Sequence, residues 1–497
     1  MTDVQKGSQA TQGLVLTETT IFERSEAGRP GFQLPPLGVP KRIPSKFNRS
    51  APAELPEVSE LQVVRHFTRL STWNYAIDLG SFPLGSCTMK YNPRINEELA
   101  ALPGLSHIHP DLPETHCQGA MEIMYRLSEA LCSISGLDAC SLQPAAGAHG
   151  EFTGLSVIHA FHEHHGSSRK YVIVPDSAHG TNPATCALLG YEVITVKTGP
   201  EGIVTVPAVE AAIEKYGREI AGMMLTNPNT LGLFESNIAE IAERLHGIGA
   251  QLYMDGANMN ANMGVAKARD MGVDVMHYNL HKTFSTPHGG GGPGSGPVAV
   301  RSHLADFLPK PMVTYSQDRY QFFNPPHSIG KVKGGYGNFG MFVRALAYIL
   351  NHGSDGLKQV SKAAVLNANY LRYALSDAFQ LAYDAPSMHE FVLSDQKQLK
   401  QGVRTLDIAK ALIDRGFHPP TIYFPLIVSG AMLIEPTETE SLGELDILID
   451  ALKSLAQTEK SEDSQIDGAP FKTVVGKVDE VGAARNPILT LDDRPRG

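Results

Sequence analysis

A single lysine, Lys282, stands between the apolar run Val273-Asp274-Val275-Met276-His277-Tyr278 and a glycine tract, Gly289 to Gly292 with Gly294 and Gly296. The run reads as a short buried strand, which puts Lys282 at a strand end, where strand-and-helix folds seat their ligands. Burial favours the neutral, nucleophilic form of an amine, and glycines remove side chains where backbone must turn or approach another group closely. The combination suits a lysine that forms a Schiff base. A Walker-type phosphate loop fits poorly, because there the glycines precede the Lys, whereas Lys282-Thr283 comes first here. A solvated lysine beside a flexible loop is the other reading of these residues alone.

Three further segments could complete a site for one cofactor, each just after a predicted strand. Gln143-Pro144-Ala145-Ala146-Gly147-Ala148-His149-Gly150-Glu151 sets small residues between strand and helix, where bare N–H groups can cradle a phosphate; an ordinary tight turn looks the same. Pro175-Asp176-Ser177-Ala178-His179-Gly180-Thr181-Asn182 leaves His179 free to lie flat on an aromatic ring, or to hydrogen-bond its own loop. Leu252-Tyr253-Met254-Asp255-Gly256-Ala257-Asn258 ends a strand in a carboxylate. That Asp255 either caps a helix or keeps a pyridine nitrogen protonated, the charge pyridoxal phosphate needs as an electron sink. Lys282 follows 27 residues later, about one strand–helix–strand unit, which could bring both to one crevice.

Such segments need alternating strands and helices to hold them, and the apolar patterning supplies these. Helices predicted over 119–134, 151–164, 207–216 and 238–248 alternate with strands over 139–143, 171–174, 191–196, 220–225, 251–254, 273–277 and 297–300. The order predicts an α/β fold: a large, mostly parallel sheet covered by helices, with its ligand at the carboxyl ends of the strands. Residues 1–75 read as an extended proline-rich arm and first helix, 76–330 as the large domain, and 331–497 as a smaller C-terminal α+β domain with a polar tail. Within the last, helices are expected over 339–351, 357–375, 406–415 and 440–457, with short strands such as 390–393 and 421–424.

Composition narrows the function. The 497 residues are 42% apolar and 19% charged, ordinary globular values. No apolar stretch reaches the roughly 18 residues of a membrane span, and the polar start Met1–Gln12 is no secretory signal, so a cytoplasmic protein is expected. Five cysteines without a Cys-x-x-Cys pair point to reduced thiols. The formal charge of −10, with no basic block, argues against nucleic acid as a partner. His159, His162, His164 and His165 crowd one helix end with only Glu163 nearby, and no metal site is expected there.

Taken together the motifs resemble a known family, the P-protein of the glycine cleavage system, glycine dehydrogenase (decarboxylating), and specifically subunit 2 of its two-subunit bacterial form. The resemblance rests on Pro83–Pro93 (PLGSCTMKYNP), Gln143–Glu151, Asp176–Pro183, Thr226–Gly232 (TNPNTLG), Asn279–Pro297, Tyr336–Gly340 (YGNFG) and Gly416–Pro425 (GFHPPTIYFP). It implies a fold-type I pyridoxal-phosphate enzyme in which Lys282 carries pyridoxal 5'-phosphate as a Schiff base and Asp255 pairs with its ring nitrogen. His179 would stack on the ring, the amides of Gly147 and Ala148 would bind the phosphate, and Ala257 and His281 would also neighbour the cofactor. Thr88 and Asn227 are candidate walls of the glycine pocket. Ala146 stands where single-chain members typically carry serine, so the resemblance implies that one phosphate hydrogen bond is either missing or supplied from elsewhere. The resemblance further implies decarboxylation of glycine with transfer of the aminomethyl group to the lipoyl arm of the H-protein. Subunit 1 would be the partner, two of each, alongside the T-protein and L-protein of the same system. Two other classes are carried beside it: an aminotransferase or decarboxylase of free amino acids, since Thr226–Gly232 also resembles an aminotransferase turn, and a scaffold chain with a degenerate site.

Overall fold

The apolar runs pair into one seven-stranded sheet: β1 (Ala139–Ser141), β2 (Tyr171–Pro175), β3 (Glu192–Val196), β4 (Ile220–Thr226), β5 (Gln251–Gly256), β6 (Val275–Tyr278) and β7 (Val298–Val300), in the order β1-β7-β6-β5-β4-β2-β3. Strands β3, β2, β4, β5 and β6 are parallel, and β7 runs antiparallel to both its neighbours. This computed structural model describes residues 18–490, apart from 30, 37, 41, 52, 291 and 462–465. The first part of the expected arm and the last residues of the expected tail lie outside them.

Helices α1 (Gln118–Ser135), α2 (Gly147–His164), α3 (Thr181–Leu188), α4 (Val206–Tyr216) and α5 (Ile238–Gly247) accompany the sheet. Because successive strand residues face opposite ways, each strand feeds two cores. Leu252, Met254, Met276 and Tyr278 pack with Leu127, Leu131, Ile241 and Leu245. Tyr253, Val275, Val172 and Val174 pack with Leu155 and Ile158 of α2. The same period carries Asp255 and His277, which are register partners on β5 and β6, onto the α2 face.

Helix α2 starts four residues earlier than its apolar pattern suggests, because glycines conceal it. A Cβ on Gly147 would lie 2.7 Å from Asn279 Oδ1, on Gly150 2.8 Å from Gly296 O, and on Gly154 2.5 Å from a Tyr253 ring carbon. The glycines let the helix settle on the sheet at the cost of helix propensity. Helix α3 and the hairpin β8 (Met312–Ser316)–β9 (Arg319–Phe323) were not evident in the sequence, and the helices expected over 339–351 and 357–375 join as α6 (Phe339–Leu375), kinked at Gly353.

The C-terminal part adds an antiparallel sheet, β10 (Gln380–Leu381), β11 (Phe391–Ser394), β13 (Ala431–Ile434) and β12 (Thr421–Ile422) in that order, with α7 (Thr405–Asp414) and α8 (Leu442–Ala456). Phe391 pairs with Ile434, so Glu390 and Glu435 flank that pair at one end of two neighbouring strands. The loop after β4 packs tightly on the segment that enters β11. Gly232 holds φ +77°, and a Cβ there would stand 1.9 Å from Glu390 O. Gly232→Ala is therefore expected to destabilise the chain by about 2 kcal/mol or more, read as a lowered thermal midpoint. An unchanged midpoint would show that the Glu390 backbone moves aside freely.

By internal packing the chain divides into Met1–Leu79 with Gly468–Gly497, and Gly80–Asp467. In the first unit, the helix Glu60–Ser71 opens on a reciprocal cap between Ser59 and Gln62, and Glu18 is buried against His66 and Arg69. All candidate site residues lie in the second.

Candidate active site

Lys282 leaves β6 on a single helical turn, Leu280–Thr283, at the carboxyl ends of the parallel strands. It is half-buried, and its Nζ donates to Ser86 O at 2.8 Å. Ser86 takes a left-handed φ of 62°, and its amide donates to Glu390 Oε2 at 2.6 Å. Gly85 beside it is pressed on β13, where a Cβ would fall 2.2 Å from Leu433 Cγ. A strained peptide is thus clamped against the lysine nitrogen from behind.

Asp255 closes β5 and is buried. Its Oδ1 accepts from Ala257 N at 2.9 Å and lies 3.3 Å from His277 Nε2; its Oδ2 accepts from Asn182 Nδ2 at 3.2 Å. Tyr253 OH, 2.6 Å from His277 Nδ1, fixes the ring with Nε2 towards Asp255. Burial pushes the Asp255 carboxyl up, but His277, the Ala257 amide and the Lys282 charge together bring it below its usual value. Glu151 of α2 sits on the same network, accepting from Thr181 Oγ1 at 2.7 Å and Asn182 Nδ2 at 3.0 Å. Burial and the neighbouring Asp255 raise it to about 7. Of the two carboxyls, Glu151 takes the proton and Asp255 keeps its charge.

The amino terminus of α2 forms a cradle. Gly147 and Ala148 occupy its first turn, where amides have no intrahelical acceptor. Gly296 closes the opposite side, since a Cβ there would sit 2.0 Å from Ala146 O. Asn338 ties the two sides together, donating to Ala145 O and Gly294 O, with Lys333 at its oxygen. Ser295 Oγ and Asn279 Oδ1 are buried here without hydrogen-bond partners among the described residues. The cradle suits a phosphate: bare amides at a helix start, a spare hydroxyl and a nearby lysine. Ser295 is also the neighbour that could replace the serine missing at Ala146.

The other expected residues fall out as follows. His179 is exposed after β2, its Nδ1 2.8 Å from Thr181 Oγ1 and its ring centroid 5.7 Å from that of Phe424 in an edge-to-face contact. His281 is buried, and its Nδ1 accepts from Ser295 N at 3.3 Å; burial, with His288 and Lys282 nearby, lowers it to about 3. Thr88 is buried and donates to Glu435 Oε1 at 2.5 Å. Asn227 is not brought to the crevice by its side chain, whose Oδ1 accepts from Glu235 N and whose Nδ2 meets Met271 Sδ, so it holds a loop together. The crowded helix-end histidines are similarly spent: His162 meets Ala221 O and His159 meets Tyr191 OH.

Sequence reasoning missed half of this site. His277, Glu151 and Asn182 lay inside quoted motifs but carried no role, and Glu390, Glu435, His389 and Lys333 were not singled out. Burial pushes Glu390 up to about 8 despite the Ser86 amide and Lys282. Since this folded value lies above the usual 4.5, the protonated side chain favours folding. That contribution is whole below pH 4.5 and is lost as pH rises through about 8. The thermal midpoint is expected to fall between pH 6 and 9, and Glu390→Gln, which cannot ionise, to flatten that slope; parallel melts of both proteins across the range decide it.

The mostly parallel sheet, with the lysine at the carboxyl ends of its strands, the buried aspartate and the helix-borne cradle, has the α/β architecture called fold-type I. The family described as "Glycine dehydrogenase, C-terminal domain" matches residues 360–470. "Probable glycine dehydrogenase (decarboxylating) subunit 2" of Caldanaerobacter subterraneus subsp. tengcongensis is 54% identical over 476 residues, 94% of this chain and 98% of that protein. The protein of the same name from Bacillus licheniformis is 54% identical over 482 residues, 96% and 99%. A solved glycine decarboxylase (P-protein) of the glycine cleavage system, in inhibitor-bound form, superposes with a TM-score of 0.71 at 21% identity, over 83% of this chain and 93% of that one. A cysteine desulfurase from Thermococcus onnurineus shares the fold at TM-score 0.60 and 14% identity, over 76% and 95%. The chain belongs to the glycine dehydrogenase (decarboxylating) subunit 2 family, as its motifs led one to expect.

Proposed function

We propose that this chain decarboxylates glycine and passes the remaining aminomethyl group to the lipoyl arm of an H-protein, with pyridoxal 5'-phosphate held covalently on Lys282. The reading is supported by one observation: at the carboxyl ends of neighbouring strands a half-buried lysine amine acts by its charge on a buried, ionised Asp255, and the first turn of α2 packs on Asn279 just before that lysine. Gly147, Ala148 and Ser295 would hold the phosphate, Asp255 the ring-nitrogen proton, and His179 the ring. The cofactor, when bound, supplies an electron sink for the bond to CO2.

The chain's own residues do the rest. Asn182, Ala257 and His277 fix the Asp255 carboxylate so that it cannot turn away from a ring nitrogen. The Ser86 carbonyl, 2.8 Å from Nζ, fills space beside the reactive amine and favours the amino acid without a side chain. Buried Thr88 stands behind it, its hydroxyl spent on Glu435.

A subunit 1 partner, two copies of each chain, fits the family name of the relatives and the arm, where Phe32 and Leu34 are 81% and 82% exposed. T-protein and L-protein would act on the product. No described helix is long and apolar enough to cross a membrane, and a cytoplasmic enzyme is the proposal. The test is exchange of labelled bicarbonate into the carboxyl group of glycine by the chain mixed with subunit 1. Exchange that needs lipoylated H-protein supports the reading. Keto-acid formation from free amino acids without that protein would replace it with an aminotransferase.

A further inference from the structure

Behind the peptide that touches Lys282 lies a second ionisable cluster: His389, Glu390 and Glu435, all fully buried, with ligand-type atoms within 4.8 Å of one another. It is built from two strands, Glu390 entering β11 and Glu435 leaving β13. Glu390 is tied down by Ser86 N at 2.6 Å and Asn258 Nδ2 at 3.4 Å. Glu435 is tied on one side only: Oε1 accepts from Thr88 Oγ1, while Oε2 has no hydrogen-bond partner among the described residues; His389 has none either, though its Nε2 lies 3.8 Å from Glu390 Oε1. The Ser86 peptide joins the cluster to the lysine, its carbonyl accepting from Lys282 Nζ and its amide donating to Glu390, and the Lys282 charge acts on both carboxyls.

We infer that Glu435, braced by Thr88 and backed by Glu390, is the acid that protonates the sulfur released when a disulfide is cleaved at this site. The inference rests on the lipoyl reading above. In that reaction the α-carbon that has lost CO2 bonds to one sulfur, the S–S bond breaks, and the pair from that bond leaves on the other sulfur. Glycine is oxidised by two electrons, the disulfide is reduced, and one proton is taken up overall, its destination the leaving sulfur. A thiolate in a site this dry is costly, so the proton must be waiting.

The histidines, the thiol and the other network carboxyl nearby do not supply it. Burial, reinforced by Lys282, holds His281 and His389 near 3 and His288 near 4, so none is an imidazolium at neutral pH. Burial raises the Cys87 thiol, which makes it a weaker acid still. Glu151 carries a proton but spends its oxygens on Thr181 and Asn182 beside Asp255. Burial and the adjacent Glu390 keep Glu435 protonated, and with Oε1 accepting from Thr88 the proton resides on the free Oε2.

The test uses the assembled enzyme, with subunit 1 and cofactor, and Glu435→Gln, which keeps shape but has no acidic proton. Two acceptors are compared: lipoylated H-protein, and a small aryl disulfide whose thiolate leaves without protonation. With the lipoyl acceptor, glycine-dependent release of CO2 is expected to fall by about 10²-fold or more, while with the aryl disulfide the variant stays within about threefold of wild type. Glycine's effect on the cofactor's visible spectrum should be unchanged in either case. Equal losses on both acceptors, or none on the lipoyl one, would overturn the inference. Should Glu435→Gln fail to assemble, Glu435→Asp, an acid withdrawn by one methylene, must show the same acceptor-dependent gap. Absence of lipoyl-dependent CO2 release from the wild-type assembly would instead bring down the glycine reading, before any variant is made.

Discussion

Lys282→Ala is expected to abolish turnover, by on the order of 10⁵-fold or more, the scale on which loss of a covalent nucleophile acts. The protein should still fold. The Lys282 side chain is half-buried and makes one hydrogen bond, to Ser86 O, whose loss costs about 1 kcal/mol. Wild type mixed with pyridoxal 5'-phosphate should show a visible band that borohydride bleaches while fixing the cofactor irreversibly to Lys282, and the variant should show neither the band nor the fixed label. Lys282→Arg separates charge from chemistry, since a guanidinium restores the cation but not the nucleophile. In Lys282→Ala the carboxyls of Glu390 and Glu435 lose a cation that lowers them, so both titrate higher than in wild type, whereas Lys282→Arg keeps them near their places. A borohydride-fixed label found on another lysine would sink the assignment.

The parallel strands were legible because strands covered on both faces are apolar throughout: β4 and β5 are buried at every position. Lys282, Asp255 and the α2 cradle were legible too, since each stands at or just after the end of an apolar strand. What stayed hidden was long-range or concealed by glycine. Glu390 and Glu435 look like ordinary charged residues 45 positions apart until β11 and β13 pair antiparallel and set them side by side. Glycine at Gly147, Gly150 and Gly154 disguised the start of α2, because close packing against Asn279, His277 and Tyr253 overrode helix propensity. Asn227, a candidate wall of the glycine pocket by resemblance, has its side-chain amide consumed by Glu235 N and Met271, contacts that only the folded loop creates. A signal for His277 was present, as it pairs in register with Asp255 one strand over, yet register is a property of the sheet and not of the segment.

Asp255→Asn removes the one carboxylate able to keep a ring nitrogen protonated while leaving the cradle and Lys282 in place. Losing one partner of a buried charge pair costs about 3–5 kcal/mol, which in a transition state corresponds to about 10²–10⁴-fold in kcat. Binding of the cofactor should weaken far less, because the phosphate contacts proposed for Gly147 and Ala148 are untouched. The network supplies a second readout. Asp255 holds Glu151 up to about 7 by repulsion added to burial, so in the variant the Glu151 carboxyl drops and gives up its proton at lower pH. His277 moves the same way, since Asp255 is the charge that opposes the effect of burial on its ring. The spectroscopic titration near 7 that Glu151 contributes to wild type should therefore shift to lower pH in Asp255→Asn and vanish in Glu151→Gln. Glu151→Gln should nevertheless keep most of its kcat, because Asp255 retains its charge, Ala257 N and His277. A variant Asp255→Asn that turned over at the wild-type rate would mean that the ring nitrogen needs no proton here, and the electron-sink role of this carboxylate would have to be given up.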